Sequence, residues 1–247
     1  MLRRMGTADG CWKMKRCPSK LGRYIFSEHA AEAPFLTVPF FSIIEKGGVR
    51  MDQAGGFISI GMAYPSHYPL PKLSQNVCEE LLSSGGEIIN VTYSQDEAGN
   101  DWTTTTDIDY AHIGYYGSIH LRSNYFGGVD IVMTVSLQEM DTYVGILIDI
   151  KWNDVVSHPA AITEFTQLIE RLLVDVYRHV PFSYAIAGHE LELDWAPEAF
   201  PTSADWLDAF PLSMVPSPQG VAVTFGSISI DGITPQPKKK TSILFDS

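Results

Sequence analysis

The sequence predicts an α+β domain, a mainly antiparallel sheet with two principal helices packed on it. Three features carry that expectation: period-two alternation in three consecutive runs ending at Trp152, two stretches of apolar residues at helical spacing, and short turn-rich connections between them.

Taken in order, Phe57 to Tyr64 alternates, with Ile58, Ile60, Met62 and Tyr64 on one face and Ser59, Gly61 and Ala63 on the other. A helix follows. Pro71 suits its first turn, Leu70, Leu73, Val77 and Leu81 form one apolar stripe, and Gly85-Gly86 stops it. Ile88 to Tyr93 resumes as strand. Ser94 to Asp109 is polar, contains Asn100-Asp101-Trp102 and four consecutive threonines, and reads as a long loop or an irregular strand pair. The clearest strands come next. Tyr115, Gly117, Ile119 and Leu121 alternate with Tyr116, Ser118, His120 and Arg122; Val129 to Leu137 and Val144 to Trp152 repeat the pattern, as an antiparallel meander with one buried face. The longest helix spans about Pro159 to Val180, with Ser157 as cap and Ile162, Phe165, Ile169, Leu172, Leu173 and Val176 at helical spacing. A strand from Phe182 through Trp195, a short helix around Ala204 to Phe210, a final strand from Val221 to Ile233 and a polar tail with Lys238-Lys239-Lys240 complete the reading.

Charge divides the chain unevenly. The 247 residues carry 17 Lys+Arg and 29 Asp+Glu, net −12. Residues 1–50 hold 9 and 4 of these, which leaves 8 and 25, net −17, for residues 51–247. Lys46-Gly47-Gly48 at the seam can be encoded as a ribosome-binding sequence just ahead of Met51. The expectation is a basic, poorly ordered leader (1–50) that is translated upstream sequence, then a single acidic α+β domain (51–247) with a short polar C-terminal tail. The intact mass of the protein made from its own locus checks that division.

Composition excludes several classes. With 45% hydrophobic and 11% aromatic residues, the chain is not a disordered protein. Phe35 to Ile44, interrupted by Thr37, Pro39 and Ser42, is too short to span a bilayer. Three cysteines (Cys11, Cys17, Cys78) give no disulfide framework, so a reducing cytoplasm is expected. Strong negative charge argues against nucleic acid and anionic membrane as partners, and favours steering toward a cationic protein.

Candidate chemistry is sparse. In His189-Glu190-Leu191-Glu192-Leu193-Asp194, strand geometry puts Glu190, Glu192 and Asp194 on one face, a row of carboxylates suited to Lys or Arg on a partner. Asp107-Ile108-Asp109-Tyr110 repeats the theme near Asp101 and Trp102. Paired carboxylates also serve glycosidases, but their separation in space is not set by spacing in sequence. Asp149 shares a strand face with Lys151, which favours a surface ion pair, and His120 shares a polar face with Ser118 and Arg122 that could line a groove. There is no Gly-x-Ser-x-Gly elbow, phosphate-binding glycine loop or paired-cysteine zinc spacing. No catalytic, cofactor-binding or metal-binding residue is assigned. The partner-binding candidates are Asp101, Trp102, Asp107, Asp109, Glu190, Glu192 and Asp194.

The start into a strand at Gly55-Gly56-Phe57-Ile58-Ser59-Ile60-Gly61, the acidic middle and the late segment Tyr184-Ala185-Ile186-Ala187-Gly188-His189-Glu190 resemble the small α+β immunity proteins of bacterial polymorphic toxin systems. The resemblance covers most of 51–247 and implies a protein without a catalytic site or cofactor. Such a protein is encoded beside a toxin and neutralises its toxic domain by binding. A nuclease-like toxin, basic on its surface, would fit the −17. Aromatics such as Trp102, Tyr115, Tyr116 or Trp195 would anchor that contact. The alternative is a small-molecule hydrolase with dispersed Asp, Glu and His residues, in which His120, Asp149 or His189 converge with carboxylates in a deep pocket. A structural module of a larger assembly would instead present a large apolar patch.

Overall fold

The computed structural model describes residues 56–96, 99–110, 117–156, 162–200 and 207–245. The leader, Tyr115, Tyr116, Ser157, Pro159 and most of the short helix expected around Ala204 lie outside the described residues.

The alternating run after Gly56 forms β1 (Phe57–Pro65), and the stripe behind Pro71 forms α1 (Leu70–Leu82). β2 (Gly86–Ser94) and β3 (Trp102–Thr105) pair as a hairpin, so the polar stretch expected as a long loop or irregular strand pair contributes a strand. The expected meander is β4 (Ser118–Ser123), β5 (Ile131–Glu139) and β6 (Tyr143–Lys151), each paired antiparallel to the next. A five-residue helix, α2 (Trp152–Val156), precedes α3 (Ile162–His179), and β7 (Tyr184–His189) follows. The chain ends in β8 (Leu212–Ser217), β9 (Gly220–Phe225) and β10 (Lys239–Leu244).

The expected α+β arrangement, a sheet carrying two principal helices, is corrected by this architecture. Among the described residues ten strands join one sheet in the order β10-β9-β8-β7-β1-β6-β5-β4-β2-β3, every neighbouring pair antiparallel, and helices are the minor component. Three strands escape a reading by alternation. β3 is four residues of Trp and Thr, β8 includes Pro216, and β10 begins with two lysines. β3 and β10 lie at the sheet edges, where half-exposed residues and lysines are usual and the buried-face signal is weak. The final strand is also shorter than expected: β9 stops at Phe225, and the chain turns back through a bridge between Ile228 and Pro235.

Alternation sorts side chains onto two faces. Ile58, Ile60, Met62 and Tyr64 of β1 lie in one buried cluster with Val135 of β5, Ile146, Ile148 and Ile150 of β6, and apolar residues of α1 and α3. That is the apolar face. The second face carries a smaller cluster, Ala63, Tyr143, Tyr184, Ile186, Leu193, Phe200, Leu207 and Phe210, limited to the middle of the sheet.

Because Ile148 is fully buried between Ile60 and Val135, Ile148→Ala should lower stability by about 2–5 kcal/mol in urea unfolding. Leu244→Ala, at an edge residue 64% exposed, should stay within about 0.5 kcal/mol. Equal losses would contradict a core centred on β1 and β6.

Candidate partner-binding face

On the second face the central strands are covered and those toward β3 are not. β7 ends at His189, and Glu190 turns with φ +50°, its N–H donating to the Phe57 carbonyl at 2.9 Å. The chain then crosses the sheet without regular structure. Leu193 is buried where two glycines make room: a Cβ at Gly61 of β1 or at Gly145 of β6 would stand 2.7 Å from a Leu193 methyl. The Tyr143 hydroxyl donates to the Leu193 carbonyl, and the Tyr184 hydroxyl donates to the Trp195 carbonyl at 2.7 Å. Burial pushes both phenols above their ordinary range. Farther along, the Phe200 ring stacks on Tyr184 with centroids 3.8 Å apart, and Trp195 packs edge-on against Phe200 and Phe210.

Segment 190–195 is therefore a wall pinned by Leu193. The expected row of carboxylates on a strand does not exist, since the strand stops at His189. Glu190, Glu192 and Asp194 are nevertheless all exposed, carried outward on this wall while Leu193 points in. Glu190 stands at its start, its carboxylate beside Gly56.

Beyond the wall lies an open polar floor. Register aligns Thr104, Thr92, Ser118 and Ser136 in one row, and Asn90, His120, Thr134, Asp149 and Ser59 in the next. Cross-strand hydrogen bonds tie these rows together: Thr92 Oγ1 to Thr104 Oγ1 at 3.2 Å, Thr134 Oγ1 to His120 Nδ1 at 3.0 Å, and Ser59 Oγ donating to Asp149 Oδ1 at 2.7 Å. Arg122 Nη1 donates to Glu87 Oε1 at 2.8 Å along the lower margin. Three strands separate β6 from β3, so the floor is four strand spacings wide, roughly 19 Å. The ion pair expected for Asp149 with Lys151 is replaced by the Ser59 hydrogen bond. Partial burial raises the Asp149 pKa, and Ser59 offsets part of that shift.

At the far margin Trp102 alternates with Thr104 onto the same face and is 48% exposed. Its indole N–H donates to the Gly99 carbonyl at 2.8 Å. The Asn100 N–H, 2.7 Å from Asp96 Oδ1, is the main reason the Asp96 pKa is lowered, and it holds the hairpin loop. Asp101 is exposed in that loop, its carbonyl accepting from the Gln95 N–H at 2.7 Å. Asp107 and Asp109 go elsewhere. They are exposed on a segment whose Ile108 and Tyr110 pack against the apolar-face cluster, with Tyr110 hydrogen-bonded to Cys78 of α1.

The structure thus brings Asp101 and Trp102 to one margin of the floor, puts Glu192 and Asp194 on the other, leaves Glu190 at the end of the wall, and separates Asp107 and Asp109 from both. Among the proposed aromatic anchors, Trp102 is exposed and Trp195 is half-buried. Sequence reasoning found the polar face of β4 around His120 but not the threonine and serine rows, which depend on cross-strand register. Of the hydrolase candidates, His120 and Asp149 share a row with Thr134 between them. His189 pairs with Ile58 and alternates to the opposite face. Among the described residues no group of three or more His, Cys, Asp and Glu is placed to hold a metal ion. Two open depressions, of about 200 Å³ beside Asp208, Thr224 and Lys240 and about 230 Å³ beside Phe57, Lys151 and Asn153, both lie off the floor. No helix among the described residues is long and apolar enough to cross a membrane.

The pattern that defines the Immunity protein 64 family matches residues 66–236, from the turn after β1 to just before β10. The chain belongs to that family and is an immunity protein of a toxin system. No curated protein matches it, and no solved structure does.

A carboxyl whose pKa is raised on folding favours its protonated form in the native state. The cost from Asp149 therefore grows as pH rises from the unfolded carboxyl range, about 4, through the folded value. Asp149→Asn should raise stability at pH 7, with the gain shrinking as pH falls through that window. A gain independent of pH, or a loss at pH 7, would contradict the assignment.

Proposed function

We propose that this member of the Immunity protein 64 family neutralises a basic, nuclease-like toxin domain by stoichiometric binding through the second sheet face. The observation that carries this reading is the polar floor of β5, β4, β2 and β3, bounded by exposed Trp102 on one side and by the acids of the wall on the other.

Physical division of labour follows from the chemistry of these groups. The net −17 of residues 51–247 raises the local concentration of a cationic domain and speeds encounter. Exposed carboxylates at Asp101, Glu192 and Asp194 orient it, each adding little net affinity in water. Trp102 supplies a rigid aromatic anchor, the residue type that dominates interface energetics. The floor offers hydroxyl and amide groups that pair with partner polar groups without the desolvation cost of buried charge. Action by occupation needs no catalytic step and no cofactor. An immunity protein of this kind works in the cytoplasm of the toxin-producing cell.

The test is co-expression with the toxin domain encoded beside this gene, followed by binding kinetics on the purified pair. The wild-type chain should relieve growth arrest. Trp102→Ala should weaken binding by about 2 kcal/mol or more, roughly 30-fold, mainly through faster dissociation. Neutralising Glu190, Glu192 and Asp194 together should slow association and flatten its salt dependence, leaving dissociation nearly unchanged. Wild-type kinetics in both variants would sink the proposed face.

A further inference from the structure

Positive charge is concentrated at the end of the sheet far from Trp102. Lys238, Lys239 and Lys240 lead into β10 on a body that is otherwise strongly acidic. Register places Lys240 beside Thr224 of β9, and Thr224 beside Ser213 of β8, in one row on the second face. Thr224 is 4% exposed and Ser213 1%, and neither hydroxyl has a hydrogen-bond partner. Buried hydroxyls are nearly always paired, so two adjacent unpaired ones need a reason.

Thr224, Asp208 and the three lysines line an open depression of about 200 Å³. Lys238 Nζ is held by Asp208 Oδ2 at 2.8 Å, and Lys239 Nζ lies 5.8 Å above the centre of the Phe225 ring. Lys240 makes no ion pair among the described residues. With Lys238 paired to Asp208 and Lys239 alternating to the opposite face toward Glu170, the depression combines the ammonium of Lys240 with an unpaired hydroxyl buried in its lining. Asp208 supplies its one carboxylate, already engaged by Lys238. A cation would be repelled. Water pairs with the hydroxyl but carries no charge to draw it to the exposed ammonium groups. An oxyanion suits both groups, because it presents acceptor oxygens to the hydroxyl and negative charge to the ammonium.

We infer that the depression at the β9–β10 end is an oxyanion-binding site in which Lys240 and Thr224 hold the anion and Lys238 adds charge. It shares the second face with the proposed toxin-binding floor but lies at the opposite end of the sheet, beyond the covered centre, so either assignment can fail without the other. The same oxyanion chemistry comes free as inorganic phosphate or tethered as the carboxylates of an acidic peptide.

The experiment is a backbone-amide NMR titration of the full chain with sodium phosphate and, separately, with acetyl-Glu-Glu-amide, at constant ionic strength in chloride. Saturable shifts centred on Ser213, Thr224 and Lys240 are expected in at least one arm, and the arm that saturates identifies the source. Thr224→Val and Lys240→Gln should each weaken that binding at least tenfold, with melting temperatures near wild type. Thr224→Ser, which keeps the hydroxyl, should bind like wild type and guards against a folding defect in the valine variant. Absence of saturable shifts in both arms overturns the proposal, as does wild-type binding by Thr224→Val and Lys240→Gln.

Discussion

Nine residues of β1 pair with nine of β6 in one uninterrupted register, and the sorting of side chains onto faces starts from this ladder. It sets Ile58, Ile60 and Met62 beside Ile150, Ile148 and Ile146 on the apolar face, and Gly61 near Gly145 on the other. The two glycines leave a hollow that Leu193 fills. A side chain at either position would collide with that leucine, and the crossing segment would have to lift. Covered centre, raised wall and open floor are thus consequences of one pairing, continued outward by β5, β4 and β2.

The same pairing explains how a very acidic protein keeps a stable core. Among the described residues the only carboxylate on the central strands β7, β1 and β6 is the partly buried Asp149, which Ser59 supports from the neighbouring strand. Apart from buried Asp231, the other acids among the described residues lie exposed or partly exposed on helix surfaces, strand margins, turns and the irregular wall, where water screens them. Charge and packing are therefore segregated by face, on the helices as on the strands. Substitutions aimed at binding can be made on the floor or wall without touching the apolar cluster.

Much of this was legible in the sequence, for a definable reason. β1, α1 and the β4–β6 meander carry long runs of a single period, since each buries a full face. The edges were not legible. Thr103–Thr105 and Lys239–Lys240 have the composition of a loop and a tail, and only their register with β2 and β9 makes them strands. The acids at Glu190, Glu192 and Asp194 were read as a strand face, but the left-handed turn at Glu190 ends the strand one residue earlier. Asp149 and Ser59 are 90 residues apart in sequence, and no local pattern could have paired them.

The central claim is that the toxin covers the floor between Trp102 and the wall. Hydroxyl-radical footprinting of the chain, alone and bound to its toxin domain, tests it most directly. Oxidation of Trp102 and His120 should fall in the complex, while exposed His179 at the end of α3 keeps its reactivity. Protection of His179 with Trp102 and His120 unchanged would place the toxin on the opposite side and contradict the account.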